Sequence, residues 1–462
     1  MTRTTSVCIK TKLCASLLAL STLPGLCERP IDNPLKAQRN ANAIQSVYQN
    51  GVPHTNKQGK VMLEYSAAES FFSIGLWGSP LPNKENNYAW DTLKGLHYNT
   101  VWPWEGSNKQ EAIRIGEEYG MQLILMAPMD EEAMVLAGKS PAILANVWAD
   151  EPIGKFGDGK TDMDKYFADF IAYKEKAAKA APGLPIFIND APWISSPATS
   201  WWLKWNTAGG VSCHDNYPFM VGHNGAIGSR QSIGMEPNGI PQTVSLAVAA
   251  NKEKLPVWVI LGAFQIKSQP TDPHQFRFPT PTQLRAQVYA ALIHGATGIH
   301  YFIMDSFVSR DGGVVGMSPH PEVSYAPTHK HPATPTELVQ SRALWEQAGV
   351  INDELAQLTP VILAPTVGDD FIYKVDVTGP AVTTTPIRCL LKPHPEGGYV
   401  LMTVNLDDAV LQVQYTFPGE IAEAQTMFEN QPARKLNEDG KSFNLQYEPY
   451  AAHVFRIKMK EN

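Results

Sequence analysis

The sequence predicts an α/β fold: a (β/α)8 barrel followed by a C-terminal antiparallel β-sandwich domain. Three observations carry this. Eight short apolar runs alternate with helical patterns of about 10 to 20 residues, the rhythm of repeated βα units. The runs are almost continuously apolar, as strands covered on both faces must be. Near Thr359 the pattern changes to alternating apolar and polar residues broken by Gly, Pro and Asp, which reads as half-buried antiparallel strands. An open doubly wound sheet is the alternative architecture. No GxGxxG follows the first run, so a dinucleotide site finds no support.

Taken in chain order, residues 1–27 read as a secretory signal. Arg3, Lys10 and Lys12 precede the apolar stretch "LCASLLALSTLPGL", which is too short to span a bilayer. Export to the periplasm or beyond is expected. Cys27 raises a lipoprotein anchor, but Leu26 before it fits a lipobox poorly, and no later segment suits a membrane span. Residues 28–60 are polar and aperiodic, an N-terminal extension. The barrel is placed at 61–358 and the sandwich at 359–462.

The eight strand candidates are "FFSIGLW" (71–77), "TVWPW" (100–104), "QLILMAP" (122–128), "ILANVWA" (143–149), "LPIFIND" (184–190), "VSCHDNY" (211–217), "PVWVILGAF" (256–264) and "TGIHYFIMD" (297–305). Helical stretches such as "NKQEAIRIGEEYG", "DMDKYFADFIAYKEKAAKAAPG" and "TPTQLRAQVYAALIHGA" separate them, entering on Asp or Thr-Pro and leaving on Gly. The sandwich candidates "RCLLKPHPEGGYVLMTVNLDD", "VLQVQYTFPG" and "SFNLQYEPYAAHVFRI" follow.

Composition narrows the function classes. A net charge of -7 without a basic patch argues against a nucleic-acid partner. Five cysteines, two of them inside the signal and Cys27 at its edge, leave no disulfide framework and no CxxC metal pattern. His320, His329 and His331 match no common zinc spacing, and Asp158, Asp162 and Asp164 lack the other ligands of a calcium loop. No metal or cofactor is expected. No Gly-x-Ser-x-Gly elbow points to a serine esterase.

Chemistry in such a barrel collects at the C-terminal ends of the strands. Read there, acids and rings meet at nearly every strand end: Trp77; Trp102, Trp104 and Glu105; Trp148, Asp150 and Glu151; Asn189, Asp190 and Trp193; His214, Asp215 and Tyr217; Gln265; Tyr301, Met304 and Asp305. Cleavage of a glycosidic bond needs this inventory, because one carboxyl protonates the leaving oxygen while another attacks the anomeric carbon or activates water. Rings would stack on sugar faces. Candidate catalytic residues are Glu151 and Asp215. Candidate substrate-binding residues are Asp150, Trp77, Trp104, Glu105, Asp190, His214, Tyr217, Gln265, Tyr301 and Asp305, with a carbohydrate as the partner.

Each has a structural alternative. Glu151 with Pro152 would suit a helix start, and Asp150 or Asp190 would suit a cap. His214 would serve as a core histidine. Trp201, Trp202 and Trp205, at helical spacing, fit core packing. Of Trp77, Trp102, Trp104 and Trp148, two are expected to line the cleft.

The stretch "NVWADEP" (146–152) resembles the strand-four signature of the large clan of (β/α)8 glycoside hydrolases, whose acid/base Glu sits in an Asn-Glu-Pro or similar triplet. "FFSIGLWG" and "LRAQVYAALIHGATGIHYF" also look like secreted hydrolases of this type. The resemblance implies the acid/base role for Glu151. It also implies a Glu ending strand seven as nucleophile, where this chain reads "VWVILGAFQ" with Gln265 and no acid. Asp215 is the leading substitute, followed by Asp150, Asp190 and Asp305. An inverting pair, with carboxyls roughly 6.5–9.5 Å apart, would be one solution. A non-catalytic carbohydrate-binding barrel stays open, as does a polysaccharide lyase using Tyr217 or His214 as base.

Overall fold

The computed structural model describes residues 44–45, 47–82, 90–104, 106–153, 162–192, 199–221, 239–268, 275–309, 312–320, 333–367, 373–380 and 385–461. The expected signal at 1–27, with Cys27, lies outside them, as do Glu105, Asp158, Trp193, His329 and His331. Among the described residues, no helix is long and apolar enough to cross a membrane.

Eight parallel strands close a ring in sequence order: Ser73–Ser79, Thr100–Pro103, Gln122–Met126, Ile143–Asp150, Ile186–Asn189, Ser212–Asn216, Val257–Gly262 and Gly298–Phe302. Each falls within or overlaps a predicted run. The last strand pairs with the first, from Gly298 beside Ser73 to Tyr301 beside Leu76, and so leaves no free edge. The helices between strands start and stop where the sequence signals them. Lys109–Tyr119 begins on Asn108, whose side chain accepts from Glu111 N at 3.1 Å, and ends at Gly120. Pro281–His294 opens with a capping box between Thr280 and Gln283 and ends at Gly295.

The barrel is filled, not hollow. Trp102, Phe187, Trp258 and His300 meet inside it, and Trp102 Nε1 donates to His300 Nδ1 at 2.8 Å. A layer this bulky needs an empty position opposite. Gly75 supplies it, since a Cβ there would lie 1.8 Å from His300 Nδ1. Below, the strands His54–Asn56, Val61–Met62 and Ser70–Phe71 form a small antiparallel sheet. Its turn residue Gly59 has a φ of +76, and a Cβ there would come 2.3 Å from Leu144 O. That turn therefore presses on the barrel floor at the start of the fourth strand.

The C-terminal domain packs two antiparallel sheets over a core of Val375, Cys389, Leu391, Val413, Tyr415, Phe443 and Phe455. The strand Leu411–Thr416 alternates buried and more exposed residues as its pattern predicts. The boundary expected at 358/359 falls inside a helix, because Pro335–Ile362 runs on to dock the domain. Lys392 Nζ, buried, donates to Ile362 O at 2.6 Å and Ala364 O at 2.7 Å, capping that helix end from the sandwich. Arg285 pairs with buried Glu354 at 3.1 Å and also donates to Ala452 O, while Tyr289 donates to Glu354 at 2.6 Å.

Two features depart from expectation. Ile44–Gln45 lies in parallel register with Cys389 and Leu390, so part of the expected extension completes a sandwich sheet. A fifth sheet joins Met220–Val221, Gln275–Phe276, Gln265–Ser268, Gly312–Val315 and Phe307–Ser309, built from the connections after strands six, seven and eight. Strands of two to four residues are too short to print a period-two pattern.

Gly75→Ala should lower the unfolding free energy by about 3 kcal/mol, since overpacking a filled core costs on this order. Gly95→Ala, where an added Cβ meets nothing within 4 Å, should change it by less than about 0.5 kcal/mol. Urea unfolding of both variants checks the pair.

Candidate functional site

Strand alternation decides which side chains reach the mouth. On the sixth strand Cys213 faces the interior cluster, so Asp215 does too, while His214 turns outward. On the fifth strand Phe187 and Asn189 share the inner side. The fourth strand carries a bulge between Val147 and Ala149, which resets its parity. Trp148 consequently packs outward on Tyr166 and Phe170, and Asp150 pairs in register with Asn189.

The result is a group of carboxyls at the ends of strands four, five and six. Asn189 Nδ2 donates to Asp150 Oδ1 at 2.9 Å and to Asp215 Oδ1 at 3.2 Å. The Asp215 carboxyl is hydrogen-bonded to that of Glu151. Glu151 sits at φ +47, a left-handed conformation that an L-residue adopts at a cost, and its N–H donates to Asn189 O at 2.9 Å. Glu151 is part-exposed, whereas Asp215 is 3% exposed.

Burial first, then the charges of Glu151 and Asp150, push the Asp215 carboxyl well above the ordinary aspartate range. Asp190, fully buried, is pushed up to about 8, mainly by burial and further by Glu151 and Asp150. Its Oδ2 accepts from Ile153 N at 3.2 Å, so it braces the turn that follows Glu151. Burial, followed by the Asp215 charge, also raises the Tyr217 hydroxyl.

Beside the acids stands an aromatic wall. Tyr217 meets Phe264 edge-on at 4.9 Å, Phe276 at 5.9 Å and Phe302 at 5.5 Å. Trp104 is part-exposed against Phe307 at 5.2 Å. Trp77, stacked 4.4 Å from Trp102, belongs with it to the barrel filling, so of the four tryptophans only Trp104 stands at the rim.

Five further expected binding residues point elsewhere. His214 is enclosed between Trp202 and Thr243, its Nε2 3.1 Å from Thr243 Oγ1, and burial takes it down to about 3. Tyr301 lies on the outer side of strand eight and donates to Asn352 at 3.1 Å. Gln265 follows Ala263 on the outward parity of strand seven, and its Nε2 donates to Glu337 at 3.1 Å. The mouth-facing residues of that strand are Gly262 and Phe264. Asp305 is 1% exposed and accepts from Ser306 N at 2.8 Å, inside the protein. Asp190 is likewise enclosed. In each case the strand-end position was legible but the facing was not.

Sequence reasoning gave no role to three contributors. Asn189 stands two residues beyond Phe187 on the inner face, and that spacing was the signal for it. Phe276 had none, because its position depends on the fifth sheet, while Phe302 ends strand eight, where the run was legible but its facing was not. Among the described residues no group of three or more His, Cys, Asp or Glu could hold a metal ion.

No protein-family model and no curated protein sequence matches the chain. Solved structures do. A glycoside hydrolase of family 5 from Bacteroides vulgatus is 13% identical, covers 89% of this chain and 95% of its own, and superposes with a TM-score of 0.50. A family 51 alpha-L-arabinofuranosidase from Bifidobacterium longum is 10% identical over 89% and 97% of the two chains, also at 0.50. The likeness establishes the fold. A (β/α)8 barrel with a trailing β-sandwich is the architecture shared over nearly the whole of both neighbours.

The raised Asp190 has a stability consequence. Unfolded, this carboxyl ionises near 3.8; folded, it keeps its proton to about 8. The folded state therefore binds more protons between these values, and this residue's contribution to stability is lost as pH rises through that window. Asp190→Asn should flatten the fall of Tm between about pH 4 and pH 8, measured by calorimetry across that range.

Proposed function

We propose that the protein is an exported glycoside hydrolase, with Glu151 delivering a proton to the leaving oxygen and Asp215 serving as the second carboxylate. The observation that carries this reading is the hydrogen-bonded Glu151–Asp215 pair at the mouth of a closed barrel, beside a wall of rings. Asp215, buried and facing the charges of Glu151 and Asp150, is held well above the ordinary aspartate range and so toward its protonated form. One acid and one base are what general acid–base cleavage requires.

The roles follow from exposure. Glu151, on a turn and part-exposed, meets the substrate and protonates the departing sugar oxygen. Asp215, ionised once its proton has passed across the hydrogen bond to Glu151 and on to the leaving oxygen, takes a proton from the attacking water. The pair ends with the one proton it began with, while the glycoside and one water become a free sugar and an alcohol. In the resting protein the two side chains meet through a hydrogen bond, whereas retaining and inverting sites hold their acids roughly 5–5.5 Å and 6.5–9.5 Å apart. Productive binding must therefore part them, with the sugar ring entering between the acids and the rings of Tyr217 and Trp104. Asp150, held by Asn189 at the rim, is placed to bind a sugar hydroxyl.

The neighbours named above are glycoside hydrolases, which supports the reaction class. The mouth-facing Gly262 and Phe264 favour one rival, a barrel that binds a glycan without cleaving it.

A panel of neutral and charged oligosaccharides, read by reducing-end release, tests both readings. Turnover of one member is expected, with Glu151→Gln and Asp215→Asn each reducing kcat by about a thousandfold. Full turnover by Glu151→Gln would remove the assigned acid, and saturable binding without product would favour the rival. Proton NMR of the first anomer released then assigns retention or inversion.

A further inference from the structure

We infer that Asn189 is a positioning residue that decides which carboxyl oxygens of the cluster accept hydrogen bonds, confining the shared proton to the Asp215–Glu151 contact. The inference deepens the hydrolase reading and rests on it for its catalytic meaning. An asparagine side chain offers two N–H donors and one acceptor oxygen. Here both donors are spent on carboxylate oxygens, Asp150 Oδ1 at 2.9 Å and Asp215 Oδ1 at 3.2 Å. An oxygen held by an N–H is held as an acceptor, which leaves Oδ2 as the Asp215 oxygen to carry the proton. The same residue fixes Glu151 through its main chain, where Asn189 O accepts from Glu151 N at 2.9 Å. One residue thus touches all three carboxyl-bearing positions of the mouth.

The amide could in principle lie either way round, and Cys213 decides. Its Sγ is 3.5 Å from Asn189 Oδ1 and fully buried, and burial raises the thiol well above its ordinary range, so it stays an S–H donor. Turning the amide over would set its oxygen against two carboxylate oxygens and its NH2 against the thiol, losing three contacts at once. Cys213 is thereby given a task outside nucleophilic chemistry: it anchors the asparagine that orders the acids. The groups facing Asp215 are Asp150 and Glu151 from the fourth strand and Asp190 from the fifth, and Tyr217 is raised by the same carboxyls together with Cys213. All are acids or neutral donors.

The test reads protonation on the protein alone, without a sugar, so its outcome is independent of the turnover assay. Carbon-13 NMR of labelled aspartate carboxyls follows the Asp215 midpoint in the unmodified chain and in Asn189→Leu, Cys213→Ala and Cys213→Ser. Losing an N–H that stabilises the ionised form should move the midpoint up by about one pH unit in Asn189→Leu. Cys213→Ala should shift it the same way by less, because the amide loses its anchor. Cys213→Ser should titrate as the parent does, its hydroxyl replacing the thiol as donor. Unchanged midpoints in both Asn189→Leu and Cys213→Ala would overturn the inference. If Asn189→Leu loses its near-ultraviolet circular dichroism, Cys213→Ala decides alone: a shift upholds the assignment and an unchanged midpoint sinks it.

Discussion

Electrostatic repulsion among acids that the barrel forces together is the constraint on which the mouth depends. The pairing of Asp150 with Asn189, and of Asn189 with Cys213, is set by main-chain hydrogen bonds of parallel strands, so these side chains cannot move apart without breaking the ring. At short range in a poorly hydrated place, like charges interact far more strongly than in water. The chain answers with retained protons and with the amide donors of Asn189. Asp190 and Asp215 are both pushed toward their neutral forms, chiefly by burial. A site so arranged stores protons where a bond could use them, and folding is what loads it.

The storage works only if the cluster stays dry beneath. Trp102, Phe187, Trp258 and His300 form that floor, and the small sheet at His54–Asn56 seals the opposite end. Aromatic bulk under the acids excludes water, which is why desolvation leads the causes of the Asp215, Asp190 and Tyr217 shifts alike. The sandwich contributes from outside. Lys392 caps the helix Pro335–Ile362, and Arg388 donates to His294 at 3.2 Å, fixing the outer helices that brace the last strands. Charged groups buried at that contact are paired or capped, as groups taken out of water must be.

Much of the architecture was legible because it rests on continuous burial. Strands covered on both faces are mostly apolar, so they printed themselves as runs apart from the buried but polar sixth, Ser212–Asn216, and the helices were bounded by Asn108, Thr280, Gly120 and Gly295. Side-chain facing was harder to read. Asp215 could be placed inward by counting from Cys213, yet His214, one residue away, was taken for the same pocket. The bulge between Val147 and Ala149 has no mark in the sequence, and without it Asp150 would face outward. Tyr301 and Gln265 look like mouth residues because strand ends look alike; only the partners Asn352 and Glu337, some fifty and seventy residues downstream, show that they support the outer layer. The fifth sheet was illegible for a different reason, being made of pieces too short for periodicity.

The sugar-cleaving barrels that this sequence resembles place their second acid on strand seven, and here that strand turns Gly262 and Phe264 to the mouth. A glycine and a ring leave no room for a carboxylate, and the neighbouring Tyr217, Phe276 and Phe302 turn that side into an apolar wall. The acids gather instead at the ends of strands four to six, Asp215 among them. Under the proposed roles, bond cleavage between groups at the ends of strands four and six would work across a narrower gap than one spanning the barrel. Glu151 is the part-exposed member, set on a strained turn beyond the last strand residue. Under the proposed roles, that placement would let a resting hydrogen-bonded pair part to admit a sugar between the two carboxyls.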